Sequence, residues 1–440
     1  MATDSTNDSL SLSDQVANLA SGEWAELDTA NDWADVAVTR AEHDQMVENG
    51  SEPFWGWGGP DAMWRSWNSA AFDDDGNRMF FMGGGRTNYG GNEVYQFDFD
   101  TLEWSRVTDP SPLTRKDWDD PDVDGSSEKD VYIPEGAPNS AHTYDSLVWN
   151  PATETFWYTA TRIGFDNANG ASVPRNPSEK AVWELDVETG EWTKHDASVN
   201  AQFAASTTLP KTDQIITFDN QSHHDVFAHL YNADGTEHSL GEVRFPNGFS
   251  LETADTAFTN LKTGEAYVVS GGDKKIFKIN IQDSSVVAEH VIDLPSTEEF
   301  NTSFAFGEAG YAYRPVDDKF YIWNGGSKVA RIDPDAGDME LIWNLDSDEA
   351  PSDNAKPNGK NFEKWAYVEE QDAFVGVVSG ESFVWKPGGN PPDLHEPEAG
   401  QLTLDYHTTG ALGVFLPLLS GDKNFDSAAS IEYREAGSTT

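Results

Sequence analysis

The chain has 440 residues, a formal net charge of −49 and no cysteine, and its isoelectric point is about 4.2. So negative a chain repels phosphate backbones and anionic membrane surfaces, which argues against nucleic acid as a partner. Without cysteine, disulfides, thiolate metal sites and cysteine nucleophiles are excluded.

Residues 1–60 form a mixed N-terminal segment. It starts with polar residues and lacks a signal-peptide pattern, so we expect a mature secreted form with an added methionine. Short helices are predicted within residues 4–20 and 39–47. Between them, Gly22–Leu27 has the pattern of an outermost strand whose companions are missing nearby. Because ring closure removes exposed sheet edges, we expect this strand to close a ring of repeats.

A repeated strand pattern occupies residues 61–388. In its clearest copy, the strand Met79–Met82 is followed by Gly83–Gly85, a second strand Asn92–Asp98 and an acidic turn that leads to Trp104. Repeats of this kind predict one small sheet per unit, stacked side by side. The acidic turn and the paired glycines recur further along, at Asp186–Trp192, Asp333–Gly337, Gly271-Gly272 and Gly325-Gly326.

Alternating strands and turn signals divide this region into units. The predicted units are 67–107, 142–194, 202–240, 253–292, 306–343 and 362–385. The last has room for three strands, and the strand around Trp24 would complete it. Two units lack the glycine pair, so five or seven units are alternatives to six.

This pattern resembles the kelch-type β-propeller over Gly22–Trp385. The resemblance implies an all-β fold, with a six-bladed propeller, alternatively a seven-bladed one, closed by the N-terminal strand. An array of β-sandwiches is the rival interpretation. Its modules run to about 100 residues, about twice the length of these units.

Residues 389–440 begin with a linker rich in glycine and proline. The strands that follow are similar to the opening of a fibronectin-III-like module, which would make a partial β-sandwich, and we expect the natural chain to continue. The alternative is a strand pair packed on the propeller. The longest apolar stretch, within residues 411–419, falls short of the roughly 20 residues of a membrane helix, so no membrane insertion is expected.

Propeller geometry predicts which loops share a face. The loop entering the innermost strand and the loop between strands two and three emerge on the same side of each blade. Long loops in the first three units therefore predict a cleft, since long loops in compact domains are usually functional. The ligand-binding residues predicted for it are Arg65, Trp67, Asn68, Arg86, Asn88, Tyr89, His223, Tyr313 and Trp365.

The predicted cleft gathers arginine and histidine on an acidic body. Such a cleft suits an anionic polysaccharide, because arginine binds a carboxylate or sulfate through paired hydrogen bonds. Tryptophan and tyrosine faces would stack on sugar rings. Residue by residue, the alternative is structural: Arg65 and Arg86 would bridge blades, and His142 would satisfy buried backbone groups.

If the cleft is catalytic, we expect β-elimination from a uronate. The predicted catalytic residues are His142, Tyr144, Arg162 and His224. The cations would neutralise the carboxylate, and His142 or Tyr144 would act as base and acid. Some polysaccharide lyases are propellers, and the chain is similar to them only at that level, which is a weak argument for activity.

A half-complete calcium motif lies between the first two units. Asp120, Asp122 and Asp124 alternate, and Glu128 occupies the ninth position of the loop. The twelfth position, where a bidentate glutamate belongs, is Val131. Calcium is the predicted cofactor, with a solvated acidic loop as the alternative.

Together these features predict an extracellular or cell-surface propeller that recognises an acidic polysaccharide, or degrades it as a lyase. The alternative is a non-catalytic carbohydrate-binding or adhesion propeller within a larger surface protein. The acidic composition fits a marine source, and the oligomeric state is left open.

Overall fold

The computed structural model describes residues 10–85, 88–115, 131–132, 136–159, 181–199, 204–222, 225–246, 255–271, 274–282, 285–294, 306–343, 350–351, 361–388, 398–399, 403–408, 411–415 and 418–420. Contacts within the chain divide it into two compact units, Met1–Gly388 and Gly389–Thr440. No helix in these ranges is both long and apolar enough to cross a membrane.

The N-terminal segment combines short helices with one strand. Its elements are α1 (Leu12–Ala17), β1 (Trp24–Glu26), α2 (Trp33–Val36), α3 (Arg40–Glu48), a 3-10 turn (Gly59–Asp61) and α4 (Ala62–Arg65). The two helices predicted from the sequence correspond to α1 and α3. Thr39 starts α3 with a capping box, in which its hydroxyl accepts from Glu42 N and the Glu42 carboxylate accepts from Thr39 N.

Two four-stranded antiparallel sheets follow, which we call sheets I and II. Sheet I consists of β2 (Ala70–Asp73), β3 (Arg78–Phe81), β4 (Tyr95–Asp98) and β5 (Glu103–Arg106). Between the sheets, β6 (Thr114–Arg115) pairs with β7 (Val131–Tyr132). Sheet II consists of β8 (Leu147–Asn150), β9 (Thr155–Tyr158), β10 (Ala181–Asp186) and β11 (Glu191–Asp196).

The middle of the chain forms an eight-stranded sheet built from two four-strand antiparallel meanders, III and IV. Meander III consists of β12 (Ala204–Leu209), β13 (Gln214–Ser222), β14 (Asp225–Tyr231) and β15 (Glu237–Arg244). Meander IV consists of β16 (Thr256–Asn260), β17 (Glu265–Ser270), β18 (Lys275–Gln282) and β19 (Ser285–Asp293). Their outermost strands, β15 and β19, join in parallel through two residue pairs, Val243 with Val286 and Arg244 with Val287.

Two further four-stranded sheets, V and VI, complete the first unit. Sheet V consists of β20 (Gly310–Arg314), β21 (Lys319–Trp323), β22 (Lys328–Asp333) and β23 (Asp338–Trp343). Sheet VI consists of β24 (Trp365–Val368), β25 (Ala373–Val378), β26 (Glu381–Trp385) and, as its outer strand, β1. Trp24 lies opposite Trp385 in this antiparallel pairing, so the predicted closure by the N-terminal strand is confirmed.

The same turn geometry recurs at one end of every sheet. In each first hairpin, the residue just before the second strand has a left-handed backbone, which explains the regular spacing of the turns. These residues are Asn77, Glu154, Asp213, Gly264, Asp318 and Asp372, with φ of 48°, 55°, 54°, 69°, 58° and 45°.

The recurring acidic turns join third to fourth strands. In each, an aspartate Oδ1 accepts hydrogen bonds from the two backbone N–H groups that lie two and three residues further on, as in an Asx turn. The donors are Asp100 and Thr101 for Asp98, Glu188 and Thr189 for Asp186, and Asp335 and Ala336 for Asp333.

The first strands of successive sheets contact one another from β2 through β8, β12, β16 and β20 to β24. Each pair of neighbouring sheets also shares a buried apolar cluster. The cluster that contains Ala70 and Met79 of sheet I also contains Ala366 and Val375 of sheet VI. The last sheet therefore packs on the first, and the all-β arrangement is propeller-like, with first strands innermost.

Tryptophans hold the closing strand in place. The ring of Trp24 lies 5.7 Å from Trp323, 5.8 Å from Trp365 and 6.2 Å from Trp385, between centroids. All four are almost fully buried. Aromatic pairs add about 0.5–1.5 kcal/mol beyond the burial of their surface, so this cluster stabilises the junction of sheets V and VI.

The second unit contains β27 (Glu398–Ala399), β28 (Thr403–Thr408), β29 (Ala411–Phe415) and β30 (Leu418–Ser420). β27 pairs with β30 and β28 pairs with β29, both antiparallel. The fibronectin-III-like module stays a prediction.

Candidate functional site

Asn68 and a glycine run bring the starts of sheets I and II together. Asn68 is fully buried, and its Oδ1 accepts hydrogen bonds from Gly84 N at 3.3 Å and Thr143 N at 3.1 Å. A Cβ at Gly85 would lie 2.2 Å from the carbonyl carbon of Ala141. The glycines after β3 therefore allow this loop to pass directly against the loop before β8.

Four side chains meet where these loops touch, and we call Trp67, Asn88, His142 and Tyr144 the candidate site. Between centroids, the Trp67 ring lies 5.1 Å from His142 and 6.4 Å from Tyr144, and the latter two are 6.0 Å apart. Asn88 Nδ2 lies 2.7 Å from Ser66 Oγ and 3.3 Å from His142 Nε2. The structure thus brings together four residues predicted for one cleft.

Trp67 and Asn88 are the more accessible members of the candidate site. Trp67 and Asn88 are half-buried, whereas His142 and Tyr144 are 4% and 8% exposed. Because an amide nitrogen only donates, His142 Nε2 is the acceptor in its contact with Asn88. Tyr144 has a left-handed backbone with φ of 47°, and such strained residues are concentrated at functional sites.

Three other predicted ligand-binding residues lie in the core. Tyr89 is 1% exposed and its hydroxyl donates to Glu93 Oε1 at 2.7 Å. Tyr313 donates to Asp318 Oδ1 at 2.5 Å, beside the turn at the other end of sheet V. Trp365 belongs to the tryptophan cluster. Asn68 is buried too, and it positions the loops of the candidate site.

The remaining predicted residues fall outside the described part of the chain. These are Arg86, Arg162, His223 and His224 of the cleft and Asp120, Asp122, Asp124 and Glu128 of the calcium motif. The backbone of Arg65 ends α4 just before Ser66, and its side chain is not described. Within the described residues, no group of three or more His, Cys, Asp or Glu could hold a metal ion.

Four ionisable groups, three of them buried and Glu363 half-buried, lie at the starts of several first strands, next to the candidate site. Asp145 precedes β8, Asp255 precedes β16, and Glu363 and Lys364 precede β24. The Lys364 ammonium donates to the carbonyl of Asn68, whose side chain holds the loop of His142. Burial lowers the pKa of Lys364 to about 7, against the attraction of Glu363.

The carboxyl groups of Asp145 and Glu363 resist ionisation. Burial raises the pKa of Asp145 well above its usual range, and repulsion by Asp255 adds to this effect. Burial likewise raises the pKa of Glu363, with added repulsion from Asp145. Asp145 Oδ1 and Glu363 Oε1 have no hydrogen-bond partner among the described residues. A protonated carboxyl group is therefore favoured here over a second buried charge.

An exposed tryptophan that the sequence analysis missed lies beside this site. Trp57 is 82% exposed, at the apex of a turn in which Gly59 N donates to Trp55 O at 3.0 Å. In the same turn, Gly58 N donates to the carbonyl of Asn88 at 3.3 Å. The alternation of tryptophan and glycine over residues 55–59 was the available signal. It precedes the first repeat, so propeller geometry assigned it to no loop.

A serine, a histidine and a carboxylate also meet between sheets II and III. Ser198 Oγ lies 3.3 Å from His229 Nδ1, and Glu237 Oε1 lies 2.6 Å from the same nitrogen. His229 Nε2 lies 3.8 Å from Asp219 Oδ2. In a nucleophilic triad the serine and the orienting acid contact opposite imidazole nitrogens. Here the serine and Glu237 share one nitrogen, so this cluster fixes the strands rather than activating Ser198.

No protein-family model and no curated protein matches the chain. Among solved structures, it is similar to an auxiliary nutrient binding protein from Bacteroides thetaiotaomicron, with 12% identity over 73% of this chain and 69% of that one and a TM-score of 0.42. It is also similar to an auxiliary nutrient binding protein from Bacteroides ovatus, with 11% identity over 74% of this chain and 70% of that one and a TM-score of 0.44. A chain of a nidogen/laminin complex has 9% identity over 66% of this chain and 84% of that one, with a TM-score of 0.37. The functional argument therefore rests on the residues of this chain.

Proposed function

We propose that the protein is a six-bladed, kelch-like propeller that binds a carbohydrate at the candidate site. The observation that carries the proposal is the half-exposed Trp67, held beside Asn88 and against the rings of His142 and Tyr144. Concave sites with aromatic walls and a few convergent polar groups are the usual places for ligands.

The blade count and the kelch type are supported by the repeats. Sheets I, II, V and VI and meanders III and IV each have four antiparallel strands, and β1 completes sheet VI. The glycine run after β3 and the aspartate turns between third and fourth strands fall at the positions expected from the kelch resemblance. In this interpretation, the parallel contact between β15 and β19 is an edge contact between two blades.

The chemistry of the candidate site suits a sugar. A sugar ring presents C–H groups on one face and hydroxyl groups at its edge. The indole of Trp67 offers an apolar, electron-rich face to the C–H groups. The two N–H groups of the Asn88 amide are directed at Ser66 Oγ and His142 Nε2, so its Oδ1 is the atom that can accept a hydrogen bond from a sugar hydroxyl.

We further propose that the carbohydrate is an anionic polysaccharide and that the protein acts outside the cell or at its surface. Arg65 lies two residues before Trp67 in sequence. The loops predicted for this face also contain Arg86, Arg162, His223 and His224. Cations gathered at one face of a chain with net charge −49 would select a uronate or sulfated sugar over a neutral one. The acidic, cysteine-free composition favours the extracellular location.

The test is a binding panel of alginate, pectin, ulvan and chondroitin sulfate, with neutral polysaccharides for comparison. We expect Trp67→Ala and Asn88→Ala each to weaken binding by about tenfold, equivalent to about 1.4 kcal/mol. Trp183→Ala is the matched control, because Trp183 is also half-buried but lies on the third strand of sheet II. Equal affinities of Trp67→Ala and the unaltered protein would refute the site.

The adjacency of His142 and Tyr144 favours a lyase as the second candidate. In β-elimination, a base removes the proton next to the uronate carboxylate, the glycosidic C–O bond breaks, and an acid protonates the leaving oxygen. The product is an unsaturated sugar, which ultraviolet absorbance detects. His142→Ala and Tyr144→Phe should then abolish turnover while binding persists. Binding without any increase in absorbance would leave the non-catalytic propeller as the function.

A further inference from the structure

We infer that Trp57 forms a second stacking subsite, so that the ligand is a chain of several sugar residues rather than a single sugar. The inference rests on the proposed carbohydrate binding and adds to it the length of the ligand. Trp57 was not among the residues predicted for the cleft, and three features of its surroundings carry the inference.

The first feature is its exposure. Trp57 is 82% exposed, whereas the other large apolar side chains that are exposed in the described part of the chain reach at most 50%. An aromatic side chain buries 150–250 Å² when it packs in a protein, so leaving one in water forgoes a large hydrophobic gain. That gain is recovered when a ligand covers the ring.

The second feature is a turn that fixes the position of Trp57. Gly56 and Gly59 both have φ of 58°, the left-handed region that favours glycine. The Trp55 ring packs so closely on Gly59 that a Cβ there would lie 2.6 Å from it. The Trp55 ring also packs against His43, with 5.6 Å between the ring centroids. The turn is thus anchored on both sides of Trp57.

The third feature is continuity with the candidate site. Gly58 N donates to the carbonyl of Asn88 at 3.3 Å, and Asn88 Nδ2 lies 3.3 Å from His142 Nε2. One residue therefore contacts both the turn of Trp57 and the candidate site. A sugar chain that stacks on Trp67 can continue past Asn88 onto Trp57.

The experiment measures affinity as a function of ligand length. Sized oligomers of alginate, pectin, ulvan and chondroitin sulfate, from disaccharide to octasaccharide, are titrated by calorimetry into the unaltered protein, Trp57→Ala, Trp57→Phe and Trp67→Ala. In nucleic-acid complexes, removing an aromatic side chain on which a base stacks weakens binding by roughly 5- to 100-fold. We therefore expect Trp57→Ala to lose about tenfold in affinity for the longer oligomers and nothing for the disaccharide. Trp57→Phe should keep most of the affinity.

The controls separate the two proposals. Trp67→Ala should weaken binding at every length, since it removes the shared subsite. If Trp57→Ala binds the octasaccharides as tightly as the unaltered protein, the second subsite is refuted while carbohydrate binding stands. If the unaltered protein binds no oligomer and no polymer of the panel, carbohydrate binding itself is refuted, and the subsite with it.

Discussion

The two ends of the sheets of the first unit follow different rules. At the turn end, where first strands run into second strands and third strands into fourth, the connections are short and repeat the same left-handed positions and aspartate turns. At the loop end, which contains the candidate site, the connections differ from sheet to sheet. The turn end is therefore set by local backbone chemistry, and the loop end by contacts between segments that are distant in sequence.

Neighbouring sheets are also joined differently at the two ends. Ion pairs join them at the turn end: Arg78 with Glu188, Lys262 with Asp318, and Arg314 with Asp372. At the loop end, buried polar side chains accept hydrogen bonds from backbone groups of other sheets. Asp145 Oδ2, for example, accepts from Ala257 N at 2.7 Å. Because buried polar groups are costly when unpaired, the loop end should be the more sensitive to single substitutions.

The largest expected effect is at a glycine of the loop end. Gly85→Ala would place a Cβ 2.2 Å from the Ala141 carbonyl carbon, against backbone that cannot rotate away. We expect a loss of about 3–5 kcal/mol in unfolding free energy, from overpacking and left-handed strain together. At the turn end, a Cβ added at Gly190 would lie no nearer than 3.6 Å to any atom outside its chain neighbours. Gly190→Ala should therefore lower the unfolding free energy by only about 1 kcal/mol, from left-handed strain alone. Equal denaturation midpoints for the two variants would contradict the comparison.

The next effect compares two ion pairs of the turn end. Arg314 is 2% exposed and makes two hydrogen bonds of 2.7 Å to the Asp372 carboxylate. Arg314→Ala should lose about 3 kcal/mol, because it leaves carboxylates without their buried partner. In the pair of Lys262 with Asp318, the side chains are 57% and 42% exposed. Lys262→Ala should therefore lower the unfolding free energy by about 0.5 kcal/mol or less, and this loss should disappear at high salt. A loss for Lys262→Ala as large as that for Arg314→Ala would refute this ranking.

The buried carboxyl group of the loop end predicts a pH dependence. The pKa of Asp145 is raised in the folded protein, so the folded state holds a proton that the unfolded state releases above about pH 4. The stability that depends on this proton is complete at low pH and is lost as the pH rises toward the folded pKa. Asp145→Asn keeps an oxygen for Ala257 N and removes the ionisation.

We therefore expect the unfolding free energy of Asp145→Asn to increase relative to that of the unaltered protein as the pH rises from about 4. The gain should approach about 1.4 kcal/mol for each pH unit across the window between the two pKa values. The measurement is the difference in unfolding free energy between the two proteins at several pH values. A difference that stays constant with pH would show that Asp145 is ionised in the fold.

Much of the fold could be predicted from the sequence, because the repeats are local patterns. Strand alternation and acidic turns predicted the all-β class, and the isolated strand around Trp24 predicted the closure of sheet VI. The parallel contact between β15 and β19 could not be predicted, since pairing at sheet edges leaves no periodic signal. Nor could the left-handed residue Glu154, because glutamate has no preference for that conformation.

The candidate site was predictable only in part. Propeller geometry placed Trp67, Asn88, His142 and Tyr144 on one face, and the structure brings them together. The same reasoning wrongly assigned Tyr89 and Trp365 to the cleft, since both side chains are buried in the structure. A loop position fixes the end of a sheet on which a residue lies but not the direction of its side chain, which packing decides.

The last prediction concerns a single turn. Asn260 Oδ1 accepts from Lys262 N and Thr263 N, both at 3.0 Å, between β16 and β17. Asn260→Ala removes both acceptor contacts and should cost about 1 kcal/mol, whereas Asn260→Asp keeps them and should cost less. If the turn end is governed by local chemistry, neither change will alter carbohydrate affinity at the candidate site. A change in that affinity on Asn260→Ala would mean that the two ends of the ring are coupled.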